Sequence, residues 1–165
     1  MLSDRVSRHA GGDGLDPCFT AKIAKLAKME NCFVTTKPTK GTKDAEEVAQ
    51  QVVDAALKVH RALGPGLLES AYEHCLAFEL GQRGVGVERQ KCVPIIYEGL
   101  RIEAGYRIDL LVADQIVIEL KAVDRLEPIH EAQLLAYLKL AKRRIGFLIN
   151  FNVRLLKDGI RRRVL

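Results

Sequence analysis

Tyr106-Arg107-Ile108-Asp109-Leu110-Leu111-Val112, then Ala113-Asp114-Gln115, then Ile116-Val117-Ile118-Glu119-Leu120-Lys121-Ala122-Val123 decides the fold. Two apolar runs of strand length flank a short polar turn, so the stretch predicts a hairpin whose strands are covered on both faces. Three residues break the pattern. Glu119 and Lys121 alternate with apolar neighbours and therefore share one face of their strand, about 7 Å apart. Asp109 interrupts the preceding strand. If the hairpin turns about Asp114, Asp109 and Glu119 are equidistant from the turn and face each other. Two adjacent carboxylates destabilise a sheet unless a cation lies between them. Oxygen ligands of this kind suit magnesium or manganese. Two structural readings stay open beside this one: an Asp109–Lys121 or Glu119–Lys121 ion pair, or an exposed edge hairpin with solvated charges.

The flanks extend the pattern. Asp44-Ala45-Glu46-Glu47 predicts an N-cap with a reciprocal Glu. Val48, Val52, Ala55, Ala56, Val59 and Leu63 then follow helical spacing up to Gly64-Pro65-Gly66. A second helix is expected over Leu67–Gln82. Strands follow at Val87–Tyr97, Leu100–Val112 and Ile116–Val123, a third helix at Ile129–Lys142, a buried strand at Arg144–Phe151 and a short strand at Arg162–Leu165. The order α-α-β-β-β-α-β-β predicts one three-layer α/β domain over residues 44–165, large enough for its own core.

Two further sets of polar residues stand out. At about 100° per residue, Glu69 falls near Leu76 and Leu80, on an apolar stripe; alternatively it complements the helix dipole from the first turn. His130, Gln133 and Tyr137 share a face of the third helix, opposite Leu134, Leu135, Leu138 and Ala141. Gln133 and Tyr137 could orient a substrate phosphate or base, or support the carboxylates; otherwise they form the polar outer face of an amphipathic helix.

The chain has 165 residues and a net charge of +5. Of this, residues 1–43 carry eight Lys/Arg against four Asp/Glu, so the basic character resides mainly in that segment. Its Gly- and Thr/Lys/Pro-rich composition predicts a flexible basic tail, with a short helix at Thr20–Met29. No apolar run is long enough to cross a membrane and no secretory signal is evident, so a cytoplasmic protein is expected. Cys18, Cys32, Cys75 and Cys92 lack CxxC spacing and are expected as free thiols, not as a cluster or disulfide framework.

Asp109 followed by Glu119-Leu120-Lys121, after a helix bearing Glu69 and before one bearing Gln133 and Tyr137, resembles the PD-(D/E)XK nuclease superfamily. The Gln133/Tyr137 helix is similar to the QxxxY helix of its RecB-related exonucleases. Gly66-Leu67-Leu68-Glu69-Ser70-Ala71-Tyr72 resembles the motif of a small bacterial group, the GxxExxY proteins. Val59-His60-Arg61-Ala62-Leu63-Gly64-Pro65-Gly66 and Gly146-Phe147-Leu148-Ile149-Asn150-Phe151 are also similar to that group, and the likeness spans about residues 45–165. Ile108 stands where the superfamily's name has Pro.

The resemblance implies a restriction-endonuclease-like fold with a mixed central sheet flanked by helices, and metal-dependent cleavage of nucleic acid, DNA or RNA. It implies that Asp109, Glu119 and the Leu120 carbonyl hold one Mg²⁺ (or Mn²⁺), with Glu69 as a further or water-mediated ligand. Lys121 would position or deprotonate the attacking water, or neutralise charge developing on phosphorus. Gln133 and Tyr137 would support the site. The alternative is a non-catalytic module that keeps the fold and binds nucleic acid or a protein.

Overall fold

The computed structural model describes residues 44–165. The basic segment and the helix expected at Thr20–Met29 lie outside the described residues. The elements are α1 (Ala45–Leu63), α2 (Glu69–Gln82), β1 (Val87–Tyr97), β2 (Leu100–Val112), β3 (Ile116–Lys121), α3 (Pro128–Ala141), β4 (Ile145–Asn150), the short α4 (Leu156–Gly159) and β5 (Ile160–Val164). They form the mixed α/β architecture expected, with a five-stranded sheet in the spatial order β1-β2-β3-β4-β5. Among the described residues only β3 and β4 pair in parallel; β1–β2, β2–β3 and β4–β5 are antiparallel. A parallel neighbour requires a crossover, which α3 supplies.

Alternation along β3 sorts its side chains between two cores. Ile116, Ile118 and Leu120 pack with Val52, Ala56, Leu76 and Leu80 of α1 and α2. Val117 packs on the other side with Ile108, Leu134, Leu138 and Leu148. Each fully buried Leu or Ile contributes roughly 1.5–3 kcal/mol, so β3 is clamped from both faces. Glu119 and Lys121 share the parity of Val117 and so belong to the α3 side. The β2–β3 register is the one the turn about Asp114 predicts: Leu110 faces Ile118 and Val112 faces Ile116.

Several boundaries differ from expectation, each for a local reason. Asp44 is the N-cap of α1, but its side chain makes no cap bond; Glu47 instead accepts from Gln51 one turn on. The reciprocal cap lies on α3, where Glu127 and His130 exchange side-chain and backbone bonds. α2 starts at Glu69 because Leu68 is extended, with φ of −67° and ψ of 148°, and stands as its N-cap. β3 stops at Lys121 because the buried Asn150 side chain binds both the N–H and the C=O of Val123, leading the chain away from β4. The turn of helix at Leu156–Gly159 was not expected. Gly159 there lies so close to Asn150 that an added Cβ would stand 2.3 Å from its carbonyl oxygen, which no ordinary side chain tolerates. Among the described residues no helix is long and apolar enough to cross a membrane, and Cys75 and Cys92 are free thiols.

Candidate functional site

The β2–β3 ladder runs to Leu110 and Ile118. Beyond it, Asp109 Oδ2 accepts the Leu120 N–H at 2.8 Å, so a carboxylate replaces a backbone acceptor where the strands part. Because Lys121 C=O accepts the Phe151 N–H on the β4 side, strand alternation turns the Leu120 C=O toward this same gap. Glu119 is 2% exposed. Its Oε1 accepts from Lys121 Nζ at 2.6 Å, while its Oε2 is buried with no hydrogen-bond partner. The Glu119–Lys121 ion pair therefore exists, and the exposed-edge alternative is excluded.

On the α2 side, Glu69, Glu73, Gln90, Asp109 and Leu120 line a cavity of about 520 Å³. Glu69 is exposed rather than set in an apolar stripe. Helical side chains lean toward the N-terminus, so at the first position Glu69 overhangs the helix end, where Oε1 accepts the Ala122 N–H at 3.1 Å. Glu73, not anticipated from the sequence, is the buried carboxylate of this helix that lines the cavity, whereas the other, Glu79, pairs with Lys58 and Arg83. The helical-angle reasoning applied to Glu69 points equally to Glu73, one turn further and deeper in the core.

Tyr72 explains the geometry of the preceding loop. Its ring is fully buried and stacks on Phe151 at 4.4 Å. Its hydroxyl donates to Gly64 C=O at 2.7 Å and accepts from Leu67 N–H at 3.1 Å. The loop passes through Gly64 and Gly66 with φ of +68° and +98°, a conformation that favours glycine. Tyr72→Phe keeps the stacking and leaves both backbone groups without this partner. We expect a loss of about 1–2 kcal/mol by urea unfolding, with faster amide exchange at Leu67. An unchanged exchange rate would show that the hydroxyl does not hold the loop.

On the α3 side, Gln133 Nε2 donates to Tyr137 Oη at 2.7 Å, and the Tyr137 ring lies 5.4 Å from that of Tyr106. Tyr137 is nearly buried and close enough to feel the charges of Glu119, Asp109 and Lys121. The structure thus places Tyr137, with Gln133 bonded to it, within electrostatic reach of the carboxylates. His130, expected on the same face, is occupied in the α3 cap, where its Nδ1 accepts the Glu127 N–H.

Burial and, next, the neighbouring Asp109 push the Glu119 carboxyl up to about 7 despite Lys121. Burial likewise raises Asp109, and burial raises the Tyr137 phenol, keeping it neutral. Burial works against the Lys121 ammonium, but its bond to Glu119 and the surrounding carboxylates outweigh that and hold its pKa above the usual lysine value. A raised carboxyl pKa means that the folded state binds the proton more tightly. The stability it confers is present below the ordinary value of 4.5 and is lost as pH rises to about 7. In EDTA we therefore expect the parent to lose of order 3 kcal/mol over that window relative to Glu119→Gln. Parallel slopes of melting temperature against pH for the two proteins would refute this assignment.

Among the described residues no three His, Cys, Asp or Glu side chains are gathered as a ready-made metal set. Asp109 and Glu119 feel each other's charge, while Glu69, engaged by the Ala122 N–H, lines the same cavity as Asp109. The pair still fits an oxygen-seeking divalent ion. Glu119 Oε2 is a buried acceptor lacking a donor, and the Asp109 charge disfavours ionisation of Glu119 in the absence of a cation.

With this geometry established, comparison with known proteins gives one positive finding. The family model of the PD-(D/E)XK nuclease superfamily matches residues 46–163, which spans α1 to β5 and includes every residue of the site. No curated protein and no solved structure matches the chain.

Proposed function

The chain belongs to the PD-(D/E)XK nuclease superfamily, and from that premise we propose that it hydrolyses phosphodiester bonds of nucleic acid with a divalent metal, Mg²⁺ or Mn²⁺. The observation that carries this reading is the buried, partnerless Oε2 of Glu119, whose other oxygen pairs with Lys121. A fold kept only for binding has no need to bury an acceptor without a donor. Asp109, Glu119 and the Leu120 carbonyl would hold the ion, with Glu69 reaching it through water. The Gly66–Tyr72 motif supports placement in the GxxExxY group.

A bound divalent ion supplies Lewis acidity toward a phosphodiester oxygen and acidifies water. Lys121, held as a cation against Glu119, acts as an electrostatic stabiliser of the charge that gathers on phosphorus; a group kept protonated is unsuited to removing a proton from water. Gln133 fixes the Tyr137 hydroxyl, and the Tyr106–Tyr137 pair covers the α3 side. The basic clusters of the domain are partly neutralised internally, through Arg143–Asp114, Arg162–Glu46 and Arg163–Glu131. The tail's positive charge therefore supports nucleic-acid attraction more than the domain's does.

The test is degradation of single- and double-stranded DNA and RNA by the full chain with Mg²⁺, Mn²⁺ or EDTA. Metal-dependent cleavage of any of the four, lost in Asp109→Asn, supports the proposal. Binding without cleavage under every condition assigns the chain to the non-catalytic alternative.

A further inference from the structure

Gln90 sits inside β1 with φ of +51°, a left-handed conformation that a residue other than glycine adopts at a cost. Its neighbours keep register: Arg89 pairs with Leu110 and Lys91 with Ile108, while Gln90 and Asp109 are absent from the ladder between them. The detour brings the Gln90 side chain between two carboxylates. Its Nε2 donates to Glu73 Oε2 at 2.7 Å and to Asp109 Oδ1 at 3.3 Å. One amide nitrogen has two hydrogens, so both bonds form together, and an amide oxygen in that place would face two acceptors. Glu73 is 6% exposed and is fixed from its other side by Arg89 Nε at 2.8 Å.

We infer that Glu73 and Gln90 are a positioning pair that fixes the Asp109 carboxylate, with one oxygen tied to Gln90 and the other left to the Leu120 N–H. This rests on the reading of Asp109 as a metal-holding carboxylate. The pair reaches Asp109 through side-chain bonds alone and makes no claim on the ion. A role confined to neutralising Arg89 accounts for neither the left-handed Gln90 nor its second bond: Arg89 is exposed and water could solvate it. A partner that orients a metal-holding carboxylate typically contributes 10- to 100-fold in metal affinity or activity.

Gln90→Gly separates positioning from folding, because glycine adopts the same φ without strain; Glu73→Ala removes the anchor. The first readout needs neither metal nor activity. It is amide exchange at Leu120 in the metal-free full chain, followed by NMR. We expect exchange at Leu120 to quicken by about tenfold in both variants, as for one loosened hydrogen bond, while Ile118 and Phe147 stay protected and Gln90→Gly melts close to the parent. Calorimetric titration with Mn²⁺ should then show affinity weakened by roughly 10- to 100-fold. Unchanged exchange at Leu120 in Gln90→Gly overturns the inference, as does quickening spread evenly over β2, β3 and β4. Selective quickening at Leu120 in variants of a parent that takes up no Mn²⁺ upholds the positioning pair and overturns the metal reading instead.

Discussion

Asp109→Asn should leave the metal-free protein at least as stable as the parent, yet abolish both its stabilisation by Mg²⁺ and its cleavage of nucleic acid. The substitution keeps the shape of the side chain and one oxygen, which can still accept the Leu120 N–H that Asp109 takes at 2.8 Å; its amide nitrogen then faces Gln90 Nε2 and forfeits the 3.3 Å bond, a cost of about 1 kcal/mol that the lost repulsion offsets. It removes the charge that, after burial, does most to raise the Glu119 carboxyl, so a repulsive contact disappears. On the proposed function the same substitution weakens the hold on the ion, since a neutral amide oxygen binds a divalent cation less well than a carboxylate. Stabilisation by a ligand grows as RT ln(1 + [L]/Kd), about 2.7 kcal/mol at a hundredfold excess over Kd, and the variant should show none of it. Lys121 pairs with Glu119 and not with Asp109, so a buried Asp109–Lys121 ion pair no longer competes as an explanation. Melting curves with EDTA and with Mg²⁺ or Mn²⁺ decide the matter. A metal-free variant that melts far below the parent, combined with a parent indifferent to metal, would make the cluster structural.

Lys121→Met should lose turnover by about 10²- to 10⁴-fold while keeping its response to metal, since the ammonium is a donor and not a ligand. Removing one partner of a buried pair ordinarily costs about 3–5 kcal/mol because the other charge is stranded. Here the cost should be smaller, because Glu119 already titrates near 7 and can take a proton once Lys121 is gone. Loss of turnover at near-parent stability below neutral pH, with increasing instability above it, is the expected profile. Single-turnover rates in Mn²⁺ and melts across pH measure the two halves. Equal loss of metal response and turnover would place Lys121 in the folding of the site rather than in its chemistry.

Much of the sheet was legible because its side chains obey a period of two. Ile116 to Leu120 alternate between cores, and Ala113 and Asp114, both at positive φ, close a turn that leaves one register for the hydrophobic pattern. Asp109, Glu119 and Lys121 were visible as violations of that period. What the period could not convey is where a carboxylate goes once its strand breaks register. The Asp109 oxygens turn to the Leu120 N–H and to Gln90, and Glu69 leans off the end of α2 to Ala122. Gln90 was illegible for a sharper reason: nothing in its neighbours, Arg89 and Lys91, marks a left-handed residue. Glu73 was within reach, since it occupies the same helical stripe as Leu76 and Leu80. The α1 cap failed because capping patterns are local and cheap to replace, and at Glu47 the nearby Gln51 amide did so.

The strand order has a consequence for the nascent chain. β2 and β3 adjoin in sequence and can zip as a hairpin within microseconds of synthesis. The other edge of β3 waits for β4, the parallel partner delivered by α3, and such non-local pairing closes slowly. Until Ile145–Asn150 has left the ribosome, Glu119 and Lys121 stay hydrated, without the low-dielectric surroundings that set their charge states. A partly translated copy thus holds the acidic and basic side chains of the site without the surroundings that set their charge states.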